Sequence, residues 1–504
     1  MKFSLSQAIL ALILPTALGI YAQSGRSPKC VCCSALAKDP LLQGKVLAPN
    51  TTAYSSRLES YYSSNSAQAS WCMVLPTSTS DVSNIAKIIS KHQCPFGMRS
   101  GAHSAWKGSN AAENGITIDF GHMNATTYDK EKGIASIQPG SDWERVFNKL
   151  RPHGVTTVGG RASVVGVGGF VTGGGYSFHT NAYGFACDMV ANFEIVLGNG
   201  TVVNANSREN PELWKAQKGS SGNLGFVTRI DEYVVESTDM WGGLTQYDPS
   251  VKEQLFEAFI NFSENMHADP ASQNIVGMSW GPRRGYALRS ILTNSAAVQD
   301  APAFNEYMTI RNISSTSRVA AVAEMVPEFT GPTPLGLYAN WLVGQFKNSF
   351  DMMKFVNNKL EEYGKKMDAA VPDGTDYDVL VQFQPFTQSI VDKGLKNGGN
   401  VLGLEDVVAD GPTTNWLIVL TVDTPANQDK LLPLALQLRD DINAESKRRG
   451  VYKDLKYLNY AWGDQNPIAT YGEKNVAFIK SVASRVDPDG VFQKLRKTGF
   501  KLPA

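Results

Sequence analysis

Histidine and cysteine are scarce in this chain of 504 residues, six of each, and their placement excludes whole classes of chemistry. The cluster Cys30-Val31-Cys32-Cys33 has no His or Cys pair following at ligand spacing, so no metal site is expected. His92, His122, His153, His179 and His267 share no spacing and are read as structural. Charge of one sign is also missing: 47 basic residues balance 47 acidic ones, with no stripe or run. A nucleic-acid partner is therefore not expected. Long apolar runs are absent after the N-terminus, which excludes a membrane span further on.

One apolar run does occur, Ala8 to Leu18, behind Lys2 and broken by Pro15. Small residues follow at Ala17, Gly19 and Ala22. This predicts a secretory signal peptide over 1–22, cleaved after Gly19 or Ala22, and a secreted protein or one of the secretory-pathway lumen. An oxidising compartment allows disulfides, and six cysteines permit 15 pairings. Cys72 and Cys94 are the anchors expected for the N-terminal Cys30, Cys32 and Cys33. Cys187, in an apolar stretch, reads as a buried free thiol. Five sequons (Asn50, Asn124, Asn199, Asn261 and Asn312) are candidate glycosylation sites. Asn199 lies in the turn Gly198-Asn199-Gly200 between two strand-like runs, so it is hairpin chemistry first.

The length predicts at least two domains. Residues 23–67 form a polar N-terminal segment suited to a loop or short helices. Trp71–Leu75 then reads as a buried strand. Ser78 caps a helix that places Val82, Ile85, Ile88 and Ile89 on one face. Pro95–Arg99 is a second strand. Gly115–Phe120 and Ile134–Gly140 alternate like strands, and Asp142 caps a helix carrying Trp143, Val146, Phe147 and Leu150. Met189–Leu197 and Thr201–Asn204 read as a hairpin. Residues 240–450 differ: strand-like runs (Ile275–Trp280, Val379–Phe383, Trp416–Val422) alternate with amphipathic helices (Gln254–Phe262, Phe350–Tyr363, Leu431–Lys447). That predicts an α+β region with an antiparallel sheet that supplies a pocket wall.

Glycine, in contrast, is plentiful, and it is concentrated in three places. The first is Arg99-Ser100-Gly101-Ala102-His103-Ser104, which reads either as a turn with a His at its tip or as a backbone cradle for an anion. The second is VGGRASVVGVGGFVTGGGYSF, Val158 to Phe178, with eight glycines. Gly166, Gly168 and Gly169 resemble a dinucleotide fingerprint only loosely. Gly173, Gly174 and Gly175 are expected to prevent a regular helix soon after, so a nicotinamide Rossmann domain is rejected. The third is Gly219–Thr228, feeding a strand. Three such segments predict a long cofactor draped across several loops. The tail adds Tyr457-Leu458-Asn459-Tyr460 and Asp487-Pro488-Asp489-Gly490-Val491-Phe492.

Together RSGAHS, VGVGGFVTGGGY, KGSSGNLGFVTR, YLNY and DPDGVF resemble the FAD-linked oxidases of the vanillyl-alcohol oxidase superfamily. The nearest resemblance is to the berberine-bridge-enzyme-like proteins of secreted fungal and plant type. It covers about residues 68–236 and 455–495. It implies a PCMH-type FAD domain in two parts, 68–236 and 455–504, with a substrate domain over 237–454. It further implies that His103 carries FAD through an 8α-histidyl bond. Cofactor contacts implied by the motifs are Arg99, Ser100, Gly101, Ala102, Ser104, Gly160, Ser163, Gly166, Gly168, Gly169, Gly173, Gly174, Gly175, Tyr176, Asn223, Gly225, Val227 and Asn459.

Two departures stand out. Bicovalent members carry Cys where this chain has Ala162, so His103 is expected to be the only tether. Phe170 stands where many members have His, which removes a polar contact near the ribityl chain. The resemblance implies hydride transfer from a small molecule to the flavin and reoxidation by dioxygen, in a monomer. Tyr460 is the candidate base, with Tyr457 and Asn459 beside it, and Gln382 and Gln384 alternate on a strand that could face substrate. A secondary-metabolite oxidase is the leading expectation. An oligosaccharide oxidase and a non-catalytic flavin-binding glycoprotein are the alternatives.

Overall fold

The computed structural model describes residues 28–504; the expected leader lies outside the described residues. The predicted strand, helix, strand unit forms as Cys72–Val74, Thr79–His92 and Phe96–Arg99. Ser78 caps the helix, its hydroxyl accepting from the Asp81 N–H. Val82, Ile85 and Ile89 are fully buried, so the helix lies against the sheet and serves as the crossover that parallel strands need. Strands Cys72–Val74 and Phe96–Arg99 flank Ile116–Asp119 in parallel, and Val46–Leu47 adds an antiparallel edge.

A second, antiparallel sheet runs Thr126–Asp129, Ile134–Ile137, Phe226–Tyr233, Val190–Val196, Val202–Asn206. The helix Trp143–Leu150, capped by Asp142, buries Trp143, Val146, Phe147 and Leu150 in the same core. The predicted hairpin is its last pair, with Val196 opposite Val202. One expectation needs correcting. A short helix, Val167–Thr172, does form inside the glycine stretch. It ends where the triplet begins, because Gly174 and Gly175 take φ of 120° and 89°.

The third sheet has nine antiparallel strands. Helices Lys252–Glu264, Phe350–Ala370 and Pro425–Arg448 cover one face. Strand periodicity sorts the side chains. In Tyr377–Phe386, Val379, Val381 and Phe383 pack under the helices, while Leu380 and Gln382 face a cavity. In Thr413–Val422, Trp416, Ile418 and Leu420 pack with them and Leu417 faces the cavity. The architecture is thus α+β, with one mixed sheet and two antiparallel ones among the described residues. The tail closes the molecule: Phe492 packs edge-on to Phe96 and Phe226, and the Lys497 N–H donates to the Phe96 carbonyl. Among the described residues no helix is long and apolar enough to cross a membrane.

Candidate functional site

Strand Phe96–Arg99 delivers the His103 loop to the floor of a cavity of about 480 Å³. Ala102 takes φ of 56°, a left-handed position that turns successive N–H groups to one side. The N–H groups of Gly101, Ala102, His103 and Ser104 donate no hydrogen bond within the described residues. Unpaired amides in a row form a receptor for anionic oxygens. Gly101 crosses Gly166 at backbone contact: a Cβ on Gly166 would lie 2.3 Å from the Gly101 nitrogen. Only glycine permits that crossing. Gly169 faces open space. This cradle fits the diphosphate and flat ring system of FAD.

His103 is held in an aromatic cage. Its ring stacks on Tyr62 with centroids 3.8 Å apart, and Trp341 meets it edge-on at 5.4 Å. The ring keeps some contact with the cavity but is packed on its other sides, and burial pushes its pKa down to about 4. The imidazole is therefore neutral at physiological pH, with a free lone pair.

Another part of the wall joins the tail to the nine-stranded sheet, and there the Tyr460 ring meets Trp341 at 5.4 Å. Arg161 donates through Nη2 to Gln384 Oε1 at 2.6 Å and to the Tyr460 hydroxyl at 2.5 Å. Its guanidinium lies 4.2 Å over the Tyr176 ring. Tyr460 donates onward to Gln384 Oε1 at 3.2 Å. Tyr457 is placed differently: its hydroxyl accepts from the N–H groups of Gly175 and Tyr176 and from Asn459 Nδ2. Burial raises its pKa well above the usual tyrosine range. It is a buried pin between the tail and the glycine triplet.

Of the residues expected at the cofactor, the cavity is lined by Arg99, Ser100, Gly101, Ala102, His103, Ser104, Gly166, Gly168, Gly169, Tyr176, Gly225, Val227 and Asn459, with Tyr457 and Tyr460 beside them. Six others stand behind the wall. Gly160 packs on Trp143, and a Cβ on Gly173 would strike Asn459 Oδ1. Gly174 and Gly175 lie under Tyr457, Leu402 and Phe170. The Ser163 N–H donates to Thr330 Oγ1. Asn223 accepts from Arg496 and donates to the Ser220 and Phe500 carbonyls, which ties the tail down. Arg99 also differs from expectation. Its guanidinium donates to Arg57 O and Ser60, pairs with Asp119 and stacks on Tyr61, so its charge is already engaged within the protein. Ala162 and Phe170 do line it.

Sequence reasoning missed Arg161, Tyr62 and Trp341. Arg161 sits beside Ala162 in the second glycine stretch, and a lone charge in that otherwise apolar run is its signal in the sequence. Tyr62 and Trp341 lie far from any motif. Gln384 and Gln382 share one strand face, as their spacing required.

Two disulfides, Cys32–Cys94 and Cys33–Cys72, anchor the N-terminal helix to the two anchors expected. Cys187 is buried and free, and Cys30 is exposed and free. All five sequon asparagines are exposed.

Residues 71–206 match the family described as an FAD binding domain. Along nearly its whole length the chain is 33% identical to the FAD-dependent monooxygenase drtC of Aspergillus calidoustus, covering 98% of this chain and 94% of that protein. The fold is similar to 6-hydroxy-D-nicotine oxidase from Arthrobacter nicotinovorans, with a TM-score of 0.74 at 19% identity, over 93% of this chain and 99% of that one. A berberine bridge enzyme variant bound to (S)-reticuline superposes with a TM-score of 0.73 at 14% identity, over 95% and 99%. With a cavity whose amide cradle fits FAD, an FAD binding domain over residues 71–206 and a whole-length relative at this identity, the chain belongs to the family of FAD-linked oxidoreductases that includes the fungal FAD-dependent monooxygenases.

Proposed function

We propose that the protein is a secreted, monomeric FAD-dependent oxidase of a small secondary-metabolite intermediate, with FAD tethered through His103 alone. FAD held by His103 and the Gly101–Ser104 amides would supply a hydride acceptor for a substrate C–H and a route for the electrons to dioxygen, with hydrogen peroxide as the second product.

The observation that carries the reading is the neutral, caged His103 beside the unpaired amides of Gly101–Ser104. A tether must offer a ring-nitrogen lone pair, and the cage both keeps the proton off and fixes the ring. The amide row is the natural seat of the diphosphate. Ala162 offers no thiol for a second bond. The Tyr460 hydroxyl accepts from Arg161 and bonds Gln384, which supports reading it as the group that takes a substrate proton. Tyr457 holds the tail and the triplet in place. Leu380, Ile275 and Ile291 give the cavity an apolar stretch of wall. That favours a largely hydrophobic substrate over an oligosaccharide.

The reading is tested by acid precipitation of the purified protein, followed by air reoxidation after dithionite. The wild-type pellet stays yellow, a His103→Ala pellet is colourless, and reoxidation yields one peroxide per flavin. A colourless wild-type pellet ends the tether assignment. A reduced flavin that air leaves reduced ends the oxidase assignment. In a secretory host the mature chain is expected in the medium, beginning after Gly19 or Ala22, with a mass that falls on deglycosylation.

A further inference from the structure

The charged residues lining the cavity are all of one sign. Arg99, Arg161, Arg289 and Arg496 reach its wall, and no Asp or Glu does among the described residues. Three of the four are accounted for. Arg99 is paired with Asp119 behind the floor. Arg496 is spent on Asn223 and the Phe500 carbonyl. Arg289 donates to Ser279 at 3.1 Å and feels the charge of Asp378. Arg161, like Arg496, has only neutral acceptors among the described residues, but it alone of the two keeps a buried nitrogen with no acceptor. Nη2 binds two neutral oxygens, those of Gln384 and Tyr460, while Nη1 is buried and donates to nothing.

Arg161 is half-buried, and a cationic nitrogen that is shielded and unpaired favours the arrival of a countercharge. Its fork is held rigid by Gln384, Tyr460 and the Tyr176 ring, so little ordering is lost when an anion binds. The diphosphate has its own receptor in the Gly101–Ser104 amides. Arg161 instead belongs to the wall formed by strand Tyr377–Phe386 and the tail, where the apolar residues Leu380 and Leu417 continue the surface.

We infer that Arg161 is the specificity-determining residue of the substrate site, and that the substrate binds as an oxyanion, a carboxylate or an ionised enol or phenol, on an otherwise apolar body. This rests on the cavity being the FAD oxidase site proposed above. The missing carboxylate in the wall is then explained as well: an acidic side chain there would repel the substrate.

The experiment uses matched probes at pH 7 with binding read by calorimetry and by perturbation of the flavin spectrum. Benzoate is compared with benzamide, and 4-nitrophenolate with 4-nitroanisole. In the wild type at least one anion binds about tenfold more tightly than its neutral partner, as expected for a charge-assisted pair. The pair showing the preference identifies the class of oxyanion. Arg161→Gln abolishes the preference and Arg161→Lys keeps part of it, with flavin content and thermal midpoint recorded for each. Equal binding within both wild-type pairs overturns the inference without needing any variant. So does a preference that survives in Arg161→Gln or is lost instead in Arg289→Gln. An Arg161→Gln variant that shifts the flavin potential but keeps the anion preference assigns the charge to the cofactor and overturns it too. Protein purified without flavin is colourless before any titration, which marks failure of the oxidase reading separately from failure of this one.

Discussion

The imidazole of His103 lies flat on the phenol ring of Tyr62, centroids 3.8 Å apart and planes 14° from parallel. Burial in this stack holds the imidazole pKa down to about 4. Tyr62→Ala admits water to the ring, and its pKa rises back toward the ordinary value of 6.5. At pH 6 a large part of the variant's imidazole is then protonated and has no lone pair, whereas at pH 8 it is neutral again. Reconstitution of flavin-free protein with FAD should therefore give a poor yield of acid-stable flavin at pH 6 and near wild-type yield at pH 8. Tyr62→Phe keeps the stack, loses only the acceptor for Trp341 Nε1, and should match the wild type at both.

The paired disulfides hold a segment with little core of its own. They close sequence separations of 62 and 39 residues. Loop-entropy scaling gives each about 4 kcal/mol against unfolding. Replacing Cys33 and Cys72 by Ser should lower the denaturation midpoint clearly. Replacing the exposed Cys30 by Ser should leave it within about 0.5 kcal/mol of the wild type. Chemical unfolding of both variants under non-reducing conditions checks the contrast.

How much of this was legible in the sequence depends on whether a residue acts through its backbone neighbours or across the fold. Ser78 and Asp142 cap the helices they precede, because a cap is a three-residue relationship. The alternation of Val379, Val381 and Phe383 with Leu380 and Gln382 assigns each to its face of the sheet, because strands have a period of two. The glycine motifs located the cavity for the same reason: close approach of backbone leaves no substitute for glycine at Gly101 and Gly166. Motifs did not say which members touch the cavity. Asn223 and Gly173 belong to the same motifs yet support the tail and Asn459. Tyr62 and Trp341 come from the N-terminal segment and from a strand hundreds of residues later, so only tertiary structure brings them to His103.

Glu232 is fully buried, and its Oε2 accepts from Thr157 Oγ1 while Oε1 has no partner. Desolvation raises its pKa to about 8 from an ordinary 4.5. Between those values the folded state holds a proton that the unfolded chain has released. Stability from this group is therefore present below pH 4.5 and is lost as pH rises to about 8. Glu232→Gln removes the titration. It should flatten the pH dependence of unfolding in that window and stabilise the protein at pH 9 by more than about 1 kcal/mol. Urea unfolding at pH 5, 7 and 9 gives the slope for each.

Arg496 ties the glycine segment around Asn223 to the C-terminal tail. It is buried, carries no carboxylate partner among the described residues, and spans from Asn223 Oδ1 at 2.6 Å to the Phe500 carbonyl at 2.8 Å. Burial lowers its pKa to about 9. Lys501 lies beside it, donating to the Phe492 and Arg496 carbonyls. Truncating the guanidinium by Arg496→Met leaves the Asn223 oxygen with only Gln493 as a side-chain donor. It also removes the last polar tie between residues 220–223 and the tail at Phe500 other than Asn223 itself. The loss is about 2–3 kcal/mol for hydrogen bonds to a charged donor. Because Phe492 packs on Phe96 and Phe226 just ahead of the His103 loop, the effect should reach the cofactor site. Arg496→Met should lower both the unfolding midpoint and the fraction of acid-stable flavin, and excess FAD during expression should restore part of each. A variant that loses stability but incorporates flavin fully would show that the tail supports the fold without shaping the site.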